Sequence, residues 1–213
     1  NEVHLEYDAM NRLIGIRDAD GSVSHMEYNH FGQRSRMIDA MGNVRSCSYD
    51  DAGQKISATD AKGNVTTYHY TPLGKISEII DPIGRKTCYE YLPGGLLSKI
   101  TKNNGTYVTY TYDANRNVKT QTNQNGITFT YEYDVMNRVV KIESNQGHTK
   151  TYTYDALGNV ESITDTNGNT THYCYSQSGK LLSVTDALGN KAEYTYDAMG
   201  DICEVHRFGM DKD

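Results

Sequence analysis

Tryptophan is absent from the 213 residues, and only three Phe, three Pro and four Cys occur. So few prolines exclude a polyproline linker, and 19 Gly fall far below the third of the chain that a collagen repeat needs. Leu, Ile, Val and Phe together number 38, too few for a large oily core and, on composition alone, compatible with disorder. No apolar run approaches the ~18 residues of a membrane helix. The net charge is −6, with Lys and Arg scattered singly, which excludes the clustered positive footprint of a nucleic-acid binder. Against these shortages stand 18 Tyr, a bias foreign to disordered chains and suited to half-buried β-strands.

The tyrosines are periodic. Tyr7, Tyr28, Tyr49, Tyr70, Tyr91, Tyr112, Tyr133, Tyr154, Tyr175 and Tyr196 stand 21 residues apart without a slip, and a period of that size defines a repeat architecture. Two residues earlier the slot holds Leu5, Met26 and Cys47, then Tyr68, Tyr89, Tyr110, Tyr131, Tyr152, Tyr173 and Tyr194. Exchange between Tyr and apolar residues marks it as a packing position. Fourteen residues after each phase-setting Tyr comes Gly21, Gly42, Gly63, Gly84, Gly105, Gly126, Gly147, Gly168 or Gly189, the series failing at Met210.

Asp stands three residues before six of these glycines, as in Asp18, Asp39, Asp60, Asp81, Asp165 and Asp186. The D-x-x-G spelling suits a type I turn, with Asp bonding its own following backbone and Gly taking a left-handed conformation. The same spelling follows the Tyr directly, complete at Asp50–Gly53, Asp155–Gly158 and Asp197–Gly200 and ending in Asn at Asn11 and Asn137. Two turns per repeat leave segments of strand length between them. The expected fold is therefore all-β: ten 21-residue repeats, each a β-hairpin, in one antiparallel meander over residues 1–213. A flat sheet of that width is disfavoured by strand twist, so the meander is expected to coil into a spiral or part of a hollow shell.

Alternation places Thr171, Tyr173 and Tyr175 on one face and His172 and Cys174 on the other. In the other strand of each repeat the apolar residues fall three apart, as in Val160 and Ile163 or Leu181 and Val184, which predicts a bulge or strong local twist. Leu92-Pro93-Gly94-Gly95 and the Asn115-Arg116 pair depart from the turn spelling and predict distorted turns.

At Tyr154 to Val160 (YDALGNV), Tyr7 to Leu13 (YDAMNRL) and the accompanying D-x-x-G-N and Y-x-Y elements, the chain resembles the RHS/YD-repeat family over essentially its whole length. The resemblance implies a β-hairpin ribbon spiralling into part of a shell. In bacterial members such a shell encloses or presents a C-terminal toxin or effector, and in animal teneurins it belongs to a cell-surface adhesion protein. It further implies a secreted or cell-surface setting, a cargo domain of the same parent chain as partner, and a segment cut from a longer protein. An alternative role is a cell-surface carbohydrate-binding or adhesion module, with aromatic faces stacking on glycans.

The residues themselves offer little chemistry. Asp81-Pro82-Ile83-Gly84 falls in the same phase as the other aspartate turns and reads as a turn, Pro being favoured at its second position. Carboxylates in equivalent turns are two strands, about 9.6 Å, apart, too far to share a calcium ion readily. Cys47, Cys88, Cys174 and Cys203 occupy four different phases and read as unpaired, the Asp197–Gly200 turn setting Cys203 opposite Tyr194. His4, His25 and His172 share a slot facing away from the tyrosine stripe. No nucleophile elbow or phosphate loop occurs. Asn64, Asn104 and Asn169 match the glycosylation spelling. The expectation is a structural protein with no catalytic, metal or cofactor site in these residues, no nucleic-acid partner and no membrane insertion.

Overall fold

The computed structural model describes residues 2–209. It is all-β, with twenty strands and no α-helix among the described residues. They fall into two compact units, Asn1–Tyr107 and Val108–Asp213. The first unit contains β1 (His4–Tyr7), β2 (Leu13–Arg17), β3 (Val23–Tyr28), β4 (Arg34–Ile38), β5 (Val44–Tyr49), β6 (Lys55–Thr59), β7 (Val65–Tyr70), β8 (Ile76–Ile80), β9 (Lys86–Tyr91) and β10 (Leu97–Lys102). At the boundary lies β11 (Tyr107–Tyr112). The second unit continues with β12 (Val118–Asn123), β13 (Thr128–Tyr133), β14 (Val139–Ser144), β15 (Thr149–Tyr154), β16 (Val160–Thr164), β17 (Thr170–Tyr175), β18 (Leu181–Thr185), β19 (Lys191–Tyr196) and β20 (Ile202–Phe208). Within each unit every strand pairs antiparallel with its sequence neighbours, so the sheet is an open meander.

One pair of backbone hydrogen bonds serves every connection. In the Asp165 turn the Asp165 N–H donates to the Asn169 carbonyl at 2.9 Å and the Gly168 N–H donates to the Asp165 carbonyl at 3.1 Å. This is a three-residue hairpin loop, a type I turn closed by a left-handed residue. The left-handed residue is Gly except at Asn11, Arg116 and Asn137, with φ of 58°, 71° and 60°. The aspartate adds a second layer: Asp165 Oδ1 accepts from the N–H groups of Asn167 and Asn169, both at 2.9 Å, while Oδ2 takes the Asn169 amide at 2.9 Å. The equivalent Asn amide holds the carboxyls of Asp39, Asp60, Asp155, Asp165 and Asp186 below their ordinary pKa.

Two turns expected to be distorted keep the common pair of backbone bonds, but only the Asp113 turn keeps the common conformation: Gly94 is left-handed at φ 90°, which makes the Leu92 turn type II, as its Pro-Gly pair favours. The Leu92 and Gly95 N–H groups make the standard pair of bonds at 2.8 and 2.9 Å, as do those of Asp113 and Arg116 at 2.9 and 3.1 Å. Arg116 adopts the left-handed conformation itself, because the two backbone bonds and the flanking ladders outweigh the Cβ penalty of about 1–2 kcal/mol. Met210, where the glycine series fails, lies outside the described residues.

Within each unit the described strands form one layer. Met26, at 6 % exposure, is the only buried hydrophobic residue among those described, and Ser144 and Ser162 are the buried polar ones. Stability therefore comes from neighbour-to-neighbour contacts along the ribbon, as in other repeat proteins.

Candidate functional site

The phase-setting tyrosines each sit at a break in register. Tyr154 opposes Val160 while Thr153 opposes Ser162, so Glu161 is an extra residue on β16. The same shift recurs at all ten positions, from Tyr7 against Leu13 to Tyr196 against Ile202. This is the bulge that the three-residue apolar spacing predicts, and it returns both Val160 and Ile163 to the tyrosine face.

The bulge also creates an acceptor for the next repeat. Tyr154 donates its hydroxyl to the Val139 carbonyl at 2.6 Å, and Val139 is the residue opposite Tyr133. Tyr28, Tyr49, Tyr70, Tyr91, Tyr133 and Tyr196 donate in the same way to Leu13, Arg34, Lys55, Ile76, Val118 and Leu181, at 2.7 to 2.9 Å. Each such bond staples one hairpin to its predecessor over 15 residues of sequence. Tyr175 is an exception: its hydroxyl makes no hydrogen bond among the described residues. Burial of the rings raises the pKa of Tyr49, Tyr70, Tyr91, Tyr133, Tyr154 and Tyr175.

A second slot, five residues after each tyrosine, escapes a motif reading because its residue type varies. It holds Arg12, Gln33, Gln54, Lys75, Leu96, Asn117, Arg138, Asn159, Lys180 and Asp201. The long members reach across to the next repeat. The Arg12, Lys75, Arg138 and Lys180 cations lie 4.8, 5.5, 4.4 and 4.9 Å from the ring centres of Tyr28, Tyr91, Tyr154 and Tyr196. Gln33 instead donates to the Gly53 carbonyl at 2.7 Å. What unites the slot is reach, not charge.

The two faces differ in chemistry. On one, Tyr131, Tyr152, Tyr173 and Tyr194 oppose Ile142, Ile163, Val184 and Val205. On the other, hydroxyl residues pair across strands: Thr111 with Thr120 at 2.6 Å, Thr153 with Ser162 at 2.8 Å and Thr164 with Thr170 at 2.8 Å. The glycines from Gly21 to Gly189 line the rim opposite the tyrosine turns, all with positive φ.

The chemically versatile side chains are dispersed. Cys47, Cys88, Cys174 and Cys203 are free thiols. Cys203 does not oppose Tyr194, whose partner is Val205; it is the bulged residue, its thiol 3.4 Å from the Thr195 hydroxyl. The simple count about the turn omits the extra residue. His25 and His172 are exposed on the polar face. Among the described residues no three His, Cys, Asp or Glu side chains converge on a metal position. Asn64 and Asn169 spend their amides on Asp60 and Asp165. Among the described residues no helix is long and apolar enough to cross a membrane.

Comparison with known proteins agrees with this geometry. Residues 1–120 match the teneurin YD-shell family model, and residues 137–170 and 175–209 match the RHS repeat model. No curated protein matches the chain significantly. Among solved structures, TcdB2-TccC3 lacking its hypervariable C-terminal region is 15 % identical over 99 % of this chain, with a TM-score of 0.80. TcdB2-TccC3 itself is 14 % identical over 99 %, with a TM-score of 0.79. A Tc holotoxin pore from Photorhabdus luminescens gives 14 % over 99 %, with a TM-score of 0.52. The chain spans only 12 %, 13 % and 15 % of these three.

Proposed function

Since this chain belongs to the teneurin YD-shell family, and its repeats build a shell-type scaffold, we propose that it forms part of a wall enclosing or presenting a C-terminal toxin or effector of a longer polypeptide, acting outside the cell that makes it. The observation that carries this reading is the staple repeated at successive tyrosines. A ribbon joined to its predecessor at repeat after repeat by a hydroxyl bond, and in many repeats by a long side chain, resists being peeled apart without needing a second layer. Two chemically distinct faces suit a wall, which must meet cargo on one side and water or partners on the other. The wall itself performs no reaction; any chemistry belongs to the cargo. The similarity to structures containing TccC3 supports the same direction.

Glycan binding is a weaker reading. Tyr7 and Tyr107 are the tyrosines with substantially exposed rings, at 49 % and 37 %, and many of the others give their hydroxyls to neighbouring hairpins. The test is protease protection of the full-length gene product. A C-terminal segment resistant to digestion, and released when Tyr133→Ala and Tyr154→Ala loosen the array, is the expected result. Immediate digestion of everything beyond the repeats in the unaltered protein refutes enclosure.

A further inference from the structure

One cross-strand pair on the tyrosine face breaks the packing rule of the repeat. Where Tyr131, Tyr152 and Tyr173 oppose Ile142, Ile163 and Val184, the repeat of Tyr49 sets Cys47 opposite Ala58. The other pairs that lack Tyr, Leu5 with Ile16 and Met26 with Met37, still join two large side chains. Two small residues face to face leave a gap. A cavity of about 330 Å³ opens there, lined by Arg34, Met37, Arg45, Cys47, Ala58 and Thr66 among others. The ladder partners Met37 with Arg45 and Ala58 with Thr66 make this patch continuous from β4 to β7, within the first unit.

A gap on a packing face forfeits contacts and so costs stability, and a local rule broken without a compensating contact marks a functional position. The volume is at the small end of the range for ligand pockets. Charge says what enters it. Arg34 occupies the slot of Val118, Val139 and Val160, and Arg45 the slot of Thr66, Thr87 and Thr171. Arg12, Arg36, Arg85 and Arg138 are each paired with a carboxylate, but the guanidinium groups of Arg34 and Arg45 make no hydrogen bond or ion pair among the described residues. Asp60 also borders the cavity, yet its oxygens are already taken by the N–H groups of Lys62 and Asn64 and by the Asn64 amide. Two free forks of donors beside an apolar floor match a carboxylate attached to a compact hydrocarbon body.

We propose that this notch binds a small free carboxylate of that class, its apolar body against Met37, Cys47 and Ala58 and its carboxylate held by Arg34 and Arg45. The site does not depend on what the wall encloses.

Phenylacetate is the probe, and the thiol on the cavity floor is the reporter. Alkylation of the chain by iodoacetamide, followed peptide by peptide in a mass spectrometer, should slow at Cys47 with half-saturation at roughly 1 mM. Cys174, exposed on the polar face, should react at an unchanged rate. Arg34→Gln and Arg45→Gln, both at exposed positions, should each weaken protection roughly tenfold, the scale of a charge-assisted hydrogen bond. Phenylacetamide, which keeps the shape without the charge, should lose at least as much. The double variant Cys47→Tyr with Ala58→Ile restores the common pair of the repeat. It should melt higher than the unaltered chain and show no phenylacetate binding by ligand-observed saturation-transfer NMR. Absence of protection at about 20 mM phenylacetate overturns the proposal. Equal protection by phenylacetamide removes the arginines from the site and overturns it, as does equal protection by inorganic phosphate, which would leave only a bare anion site. Binding that survives in the filled double variant places the ligand elsewhere and overturns it too.

Discussion

Replacing Tyr133 by Phe isolates the staple from the ring. The substitution keeps the aromatic body against its neighbours and deletes only the hydroxyl, which donates to the Val118 carbonyl at 2.8 Å. A neutral hydrogen bond of this kind contributes about 0.5–1.5 kcal/mol net, and its loss leaves the carbonyl beside the bulge without that donor. The expected cost is therefore about 1 kcal/mol, a fall in Tm of about 2–4 °C for a chain of this size. Tyr175→Phe is the internal control: it has the same slot, the same bulge and a similarly half-buried ring, but no hydroxyl bond among the described residues. Its cost should be near zero. Urea denaturation gives the overall change, and native-state hydrogen exchange at β12 and β13 shows whether the loss is local, as it must be if stability is distributed. Equal costs for the two variants would refute the staple as a source of stability and leave the ring alone responsible.

The turns make a paired prediction. Gly126→Val, at φ 73°, should cost about 1–2 kcal/mol, whereas Arg116→Gly, at φ 71°, should be neutral or stabilising, both read from denaturant midpoints. Carboxyls with depressed pKa contribute stability that is present above their unfolded value and lost as pH falls through the lower folded value. Melting temperature should therefore drop on acidification below the ordinary Asp range of about 4, and Asn64→Ala should reduce that acid dependence by freeing Asp60. Half-buried tyrosines with raised pKa act in the opposite sense: their contribution is intact below about pH 10 and lost as pH rises through the folded values, so ultraviolet titration of phenolate should coincide with alkaline unfolding. Deletions within the array should be tolerated only in whole repeats: loss of one 21-residue unit should leave a cooperative melt, while loss of about half a unit should abolish it, because only the former preserves phase.

The fold was legible in the sequence to the extent that it depends on backbone preference. Spacing of Tyr154 and Gly168 marks strand and turn, and the interval between Val160 and Ile163 betrays the bulge. The staple was hidden because it depends on where the bulge leaves a carbonyl, and that carbonyl belongs to residues as unlike as Arg34, Ile76 and Leu181. The reaching slot was hidden for a related reason: Arg12, Gln33 and Lys180 share length, and a search for identity passes over length. Arg116 broke the turn spelling without changing the turn, since the paired strands on either side impose the loop geometry, whereas Pro93-Gly94 changed the turn to type II within the same pair of backbone bonds.

Because within each unit the described strands form a single layer, odd and even letters of each strand answer to separate demands. A lineage can re-dress the threonine side for a new environment while the ring-bearing side stays as it is, or the reverse. Neither edit must be compensated by a matching change in a distant core.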